Sequence, residues 1–298
     1  MSPHVACWFL IFCSGASATH AATTREVEAC DPAVSPGGSI RRHVVVTVDK
    51  TFEPTQEARQ WFSSAVNSLA DLDDTMVQIA SFSQSAGGNA SPVIGPPLFS
   101  GHASLDSDRL YQRRTELARE QKCLAERRTQ MHAQLNDQLQ RLIGKEVRSA
   151  SFTEIAASFQ ITGRAFAGVS AQQDLFVVLS DGLEHNPDQS FYANRRPRLI
   201  NPEVELERLK KRGIHPALTH AEVIWIGLGT AKAILPWREY HALETYWNQA
   251  IRLLGGHPLE LETVPAQPLN TLLQRPIETQ HPVEVIDSVQ SREANGPG

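Results

Sequence analysis

A chain of 298 residues that is 41% hydrophobic and 20% charged can bury a substantial core, as one large domain or two small ones. Its formal net charge of −5 sets 28 Lys and Arg against 33 Asp and Glu. That balance argues against the global basic field of a nucleic-acid-binding protein.

The first segment is unlike the rest. Val5 to Gly15 (VACWFLIFCSG) is apolar or small and uncharged, and Ala16-Ser17-Ala18 and Thr19-His20-Ala21 follow as candidate cleavage sites. Such a run is too short for a bilayer span, which takes about 20 residues, and reads as a secretory signal over residues 1–21, although only His4 supplies charge before it. Export to the periplasm or outside the cell is the expectation, with no stable membrane span. Cys7 and Cys13 fall inside this signal, leaving Cys30 and Cys123 in the mature chain. Two cysteines in an exported protein suggest one disulfide; two separate buried thiols are the alternative.

Residues 22–39 form a linker, punctuated by Pro, Gly and Ser in DPAVSPGGS. His43 to Asp49 (HVVVTVD) is a β-branched run suited to a strand buried on both faces of a parallel sheet. After Pro54, Ala58, Trp61, Phe62, Ala65, Val66 and Leu69 recur at helical spacing. Met76 to Phe82 then reads as a strand, closing a β-α-β unit. Residues 83–103 read as an exposed loop. A stretch free of Pro and Gly from about Ser104 to Ile143 reads as the body of a helical insertion over 104–146, whose narrow apolar face includes Leu117, Leu124 and Met131. Helices are predicted over 153–166, 203–212 and 237–254. Strands are predicted over 173–180 and 222–228, with a short one at 259–264. Trp225, Trp237 and Trp247 are expected as core anchors. No core pattern follows residue 264, so 265–298 is expected as a disordered tail. The fold class is therefore α/β: a Rossmann-like, three-layer domain over 40–264 with a mostly parallel central sheet and a long helical insertion.

Ligands in such folds sit beyond the carboxyl ends of the strands. Two strand ends carry acids, Asp49 and Asp181. Asp49, Thr51 and Glu53 can converge from one turn, Thr153 adds a hydroxyl at a helix start, and Asp181 a second carboxylate. An all-oxygen set favours Mg²⁺, Mn²⁺ or Ca²⁺ over zinc. The alternative is structural: Asp49 and Thr51 cap the next helix and Asp181 orders a turn.

VVVTVDKTFE, SFTEI, FVVLSDG and VIWIGLG, in this order, resemble the von Willebrand factor A-like (VWA-like) superfamily, whose adhesion site combines D-x-S-x-S, a later Thr and a strand-end Asp. Cys123-Leu124, the run Ser180-Asp181-Gly182-Leu183-Glu184-His185-Asn186, Ser190-Phe191-Tyr192-Ala193-Asn194 and Trp247 further resemble pieces of a set of uncharacterised exported bacterial proteins. The resemblance implies a protein-binding module rather than an enzyme. A metal would be held by Asp49, Thr51, Thr153 and Asp181, with Glu53 and Glu184 as further or outer ligands and a partner carboxylate completing the shell. Glu53 replaces the second serine of the motif, and Lys50 beside it could pair with Asp49 or Asp181. Two alternatives are a metal-free scaffold docking through the helical insertion and a phosphotransferase. Asp49-Lys50-Thr51 also resembles the D-K-T-G-T of haloacid dehalogenase-like enzymes, which would make Asp49 a nucleophile.

Overall fold

The computed structural model describes residues 40–83, 93–101, 114–143, 153–230 and 234–273. The segment expected as a secretory signal, Cys30 and the chain after residue 273 lie outside them. Strand β1 (Ile40–Asp49) runs at the centre of the sheet, and Val44, Val45 and Val46 are completely buried. Thr55 caps α1 (Gln56–Ser68), its hydroxyl accepting from the Ala58 amide at 3.1 Å. The cap is thus neither Asp49 nor Thr51. Strand β2 (Thr75–Phe82) pairs parallel with β1 in a register that sets Asp49 against Phe82.

Two short strands, β3 (Val93–Ile94) and β4 (Leu98–Phe99), pair antiparallel with the outer edge of β2. The second half of the expected exposed loop is therefore sheet edge, with Leu98, Phe99 and Ser100 buried. Helix α2 (Arg114–Ile143) forms the core of the helical insertion. It buries Leu124, Met131, Leu135 and Leu139 and pairs Arg128 with Asp73 and His132 with Asp71. Cys123 is disulfide-bonded, and the expected partner, Cys30, lies outside the described residues.

Helix α3 (Ile155–Ala167) leads into β5 (Ala171–Leu179), parallel to β1 on the side away from β2. A two-stranded hairpin, β6 (Tyr192–Ala193) and β7 (Arg196–Pro197), precedes α4 (Pro202–Lys211). Asn201 caps α4 from its side chain, Pro202 opens it, and acids and bases sit at its two ends as the helix dipole favours. Strand β8 (Glu222–Ile226), α5 (Trp237–Leu253) and β9 (His257–Glu262) complete the sheet. Its order is β3-β2-β1-β5-β8-β9, with β4 also on β2 and every pair parallel except those two edges.

Alternation along the strands splits the core in two. Val44, Val46, Leu175 and Val177 face α1 and α2; Val45, Phe176, Val178 and Trp225 face α3, α4 and α5. The molecule is a three-layer α/β domain with a mostly parallel sheet. Among the described residues no helix is long and apolar enough to cross a membrane.

Two expectations are corrected. Trp225 and Trp247 are fully buried, but Trp237 is 73% exposed, because it opens α5 outside the sheet and, among the described residues, stacks only on His241. Ordered chain also continues past residue 264: α6 (Leu269–Leu273) buries Leu269, Leu272 and Leu273 against the α1 side of the core. Leu272→Ala should therefore cost about 2–4 kcal/mol, as buried leucine truncations do. That is visible as a lower urea midpoint; an unchanged midpoint would mean α6 adds nothing to the fold.

Candidate functional site

The sheet order reverses between β1 and β5: the chain leaves β1 for β2 on one side and returns to β5 on the other. Beyond the carboxyl ends of these strands lies the crevice where open α/β sheets bind ligands. Asp49 ends β1, and the register that pairs Val48 with Leu179 brings Ser180 beside it. The Ser180 hydroxyl donates to Asp49 Oδ2 at 2.8 Å. The Thr51 amide and hydroxyl donate to Oδ1 at 2.8 and 2.6 Å. Thr51 has one hydroxyl proton and spends it on Asp49, so in the 2.8 Å contact between the Thr51 and Thr153 oxygens the Thr153 hydroxyl is the donor. Asp49, Thr51, Thr153 and Asp181 are thus gathered at one strand-end crevice, with Ser180 as a fifth member.

Two flanking tryptophans fix Asp181. The Trp225 indole donates to the Ser180 carbonyl and the Trp247 indole to the Gly182 carbonyl, each at 2.8 Å. The residues on either side of Asp181 are therefore pinned from the core. Asp181 Oδ1 accepts from the Leu183 amide at 2.9 Å, and its carbonyl from the Gly229 amide at 2.9 Å. Gly182 has φ +76°, and a Cβ there would lie 2.6 Å from Leu228 Cδ1, so the turn admits only glycine.

Thr153 is placed by Glu184. This fully buried carboxylate accepts from the Ile155 and Ala156 amides at 3.0 and 3.2 Å, capping α3, which has no cap from its own N-cap side chain. Its other oxygen takes Asn186 at 2.8 Å and Arg212 at 2.9 Å. Thr153 and His185 exchange backbone hydrogen bonds. Glu184 is thus a structural cap with all of its bonding spent inside the fold, which rules out its reading as an alternative ligand and leaves it the outer role of placing Thr153.

Glu53 and Lys50 also depart from expectation. Phe52 turns inward and packs its ring on Gly227, which leaves the next side chain, Glu53, exposed and bonded to none of these groups. Lys50 is half-buried and makes no ion pair with Asp49 or Asp181. Tyr192 is a member that sequence reasoning missed. Burial raises its phenol, and the charges of Asp181 and Asp49 raise it further, which places it in their field.

The electrostatics are one-sided. Burial pushes Asp49 up to about 6, against the pull of its hydrogen bonds from Thr51 and Ser180. Burial, with the charge of Asp49 added, pushes Asp181 up to about 7. No Lys or Arg compensates either acid among the described residues. The unfolded carboxyls release their protons near 4, so the folded chain holds more protons between about pH 4 and 7. Its stability without metal should then fall as pH rises through that window. Asp174, raised to about 6 by burial, acts in the same sense. The share of the pair is therefore the difference between wild type and Asp181→Asn in melts from pH 5 to 8 in EDTA. Superimposable pH profiles for the two would contradict a buried, repelling pair.

A divalent cation would supply what this group of side chains lacks. Asp181 and the hydroxyl oxygens of Thr51 and Thr153 are hard donors, and Asp49 orders the hydroxyls beside it. No cluster of three or more His, Cys, Asp or Glu with metal-binding geometry occurs among the described residues, so a cation here would be held by the Asp181 carboxylate and hydroxyls, with the charge of Asp49 behind them.

No protein-family model and no curated protein matches the chain. Among solved structures it is similar to the PilB minor pilin from Streptococcus sanguinis, with a TM-score of 0.38 and 12% identity over 80% of this chain and 61% of the pilin. A point mutant of that pilin gives a TM-score of 0.40 and 11% identity, with the same coverage. The chain thus spans less than two thirds of the pilin's length.

Proposed function

We propose that this chain is an exported, VWA-like protein-binding module whose strand-end crevice holds a divalent cation, Mg²⁺ or alternatively Mn²⁺ or Ca²⁺. The carrying observation is a buried carboxylate, Asp49, beside a half-buried one, Asp181, with no compensating Lys or Arg among the described residues and with the Thr51 and Thr153 hydroxyls next to them. Nothing in packing alone favours bringing two acids together inside a fold. Asp181, Thr51 and Thr153 would hold the ion, and Asp49 would hold the hydroxyls in place and lend its charge. When bound, the ion supplies a Lewis-acidic position for a partner's carboxylate.

Several observations support binding rather than phosphotransfer. Both Asp49 oxygens are already taken by three donors, and the residue is only 2% exposed. A nucleophilic aspartate needs an accessible lone pair in line with the incoming phosphorus, and burial denies that access to the one site of Asp49 not already accepting a hydrogen bond. The uncharged apolar run before residue 21 supports export, with the periplasm or the cell exterior as destination.

Titration calorimetry of the folded protein with each cation at pH 8 tests the reading. Saturable one-to-one binding of at least one of the three is expected. No binding by well-folded protein would retire the site and turn attention to the exposed face of α2.

A further inference from the structure

Building on the metal-site reading, we infer that the β6–β7 hairpin is the recognition element beside the crevice and that the partner is an acidic peptide segment. Tyr192, the first residue of β6, lies in the field of Asp49 and Asp181 and packs its ring on His185, which is bridged to Thr153. The hairpin turn, Asn194-Arg195, comes two residues later, about 7 Å further along an extended strand. The rim of the crevice is therefore this hairpin.

Its arginines divide into two kinds. Arg198 is tied into the fold, donating to the Ser190 carbonyl at 2.9 Å and to buried Glu205 at 2.5 Å. Arg195 and Arg196 are exposed and make no ion pair among the described residues, although the protein as a whole is acidic. Both turn residues take the left-handed conformation, Asn194 at φ +52° and Arg195 at φ +62°. Such two-residue turns favour Asn followed by Gly. An arginine at the glycine position carries backbone strain and gains no side-chain hydrogen bond or ion pair among the described residues in return.

Lys50, which follows Asp49 directly and makes no ion pair among the described residues, is a further cation next to the strand end. Positive charges here cannot favour entry of a metal cation. They do complement a ligand that brings several carboxylates, one for the ion and the others for the guanidinium forks. A single acidic residue would leave Arg195 and Arg196 unused, whereas a run of Asp or Glu engages ion and hairpin together.

The test is fluorescence anisotropy on the full chain with saturating Mn²⁺, using a labelled peptide of alternating aspartate and serine and an asparagine–serine control. The variant is Arg195→Gly with Arg196→Ser, which relieves the strained turn, so its melting temperature should not fall. Wild type should prefer the acidic peptide. The variant should bind it about tenfold more weakly, with a shallower salt dependence and unchanged Mn²⁺ affinity. Equal peptide affinity in wild type and variant, both with Mn²⁺ bound, overturns the hairpin's role. No preference for the acidic peptide, or tighter binding of a sulfated polysaccharide, overturns the peptide as occupant. A wild type that binds no Mn²⁺ overturns the metal-site reading instead, so the two failures are distinguishable.

Discussion

Asp181→Asn should stabilise the metal-free protein at pH 8 and at the same time abolish its stabilisation by divalent cations. The two halves of this result share one cause. Asparagine keeps the oxygen that accepts from the Leu183 amide but removes the charge that burial and Asp49 both oppose. Allowing for the partial exposure of Asp181, the gain should be about 1 kcal/mol, or roughly 2–4 °C in a domain of this size. Wild type should rise by about 5–10 °C when the cation reaches 100 times its dissociation constant, since ligand linkage there is worth about 2.7 kcal/mol. The variant should not move. A variant that loses stability without metal, or keeps the full cation response, would show that Asp181 has a structural role only.

The largest stability loss should come from Glu184, which touches no ligand. Glu184→Ala uncaps α3 and leaves the guanidinium of Arg212, 13% exposed, without its buried partner. Breaking one side of a buried pair costs about 3–5 kcal/mol, on the order of 10 °C here. Glu184→Gln retains an acceptor for the Ile155 and Ala156 amides and should lose markedly less. A double-mutant cycle with Arg212→Gln should give a coupling of at least about 1 kcal/mol, as residues in direct contact do. Because α3 carries Thr153 just ahead of its first turn, Glu184→Ala should also weaken cation binding in whatever fraction remains folded. A coupling near zero would mean that the ion pair and the cap act independently.

The sheet was legible because its central strands are long and apolar. HVVVTVD, QDLFVVLS and EVIWIGL have no polar alternation, the mark of strands covered on both faces. Their order follows from alternation with helices, and from that order comes the crevice where Asp49 and Asp181 meet. Thr51 and Thr153 were legible as hydroxyls near those ends. Ser180 was not, since its role depends on the β1–β5 register, although the residue after Leu179 falls beside Asp49 once that register is known.

Glu184 was legible as an acid near a strand-end Asp but not as a helix cap, because such a carboxylate looks the same in sequence whether it faces an ion or a helix terminus. Its short spacing to Asn186, which bonds it, was the available signal. Trp225 and Trp247 were legible as core residues but not as donors that hold the turn carrying Asp181. The β3 and β4 edges and α6 are too short, at 2, 2 and 5 residues, to show any periodicity.

The central claim is that one divalent cation sits between the ends of β1 and β5. Electron paramagnetic resonance of Mn²⁺ mixed with equimolar protein at pH 8 tests it most directly, since it counts free ion. Wild type should remove most of the free-ion signal, while Asp181→Asn should leave it at the level of buffer alone. Undiminished signal with folded wild type, or equal loss with the variant, would contradict a cation held by Asp181 at this crevice.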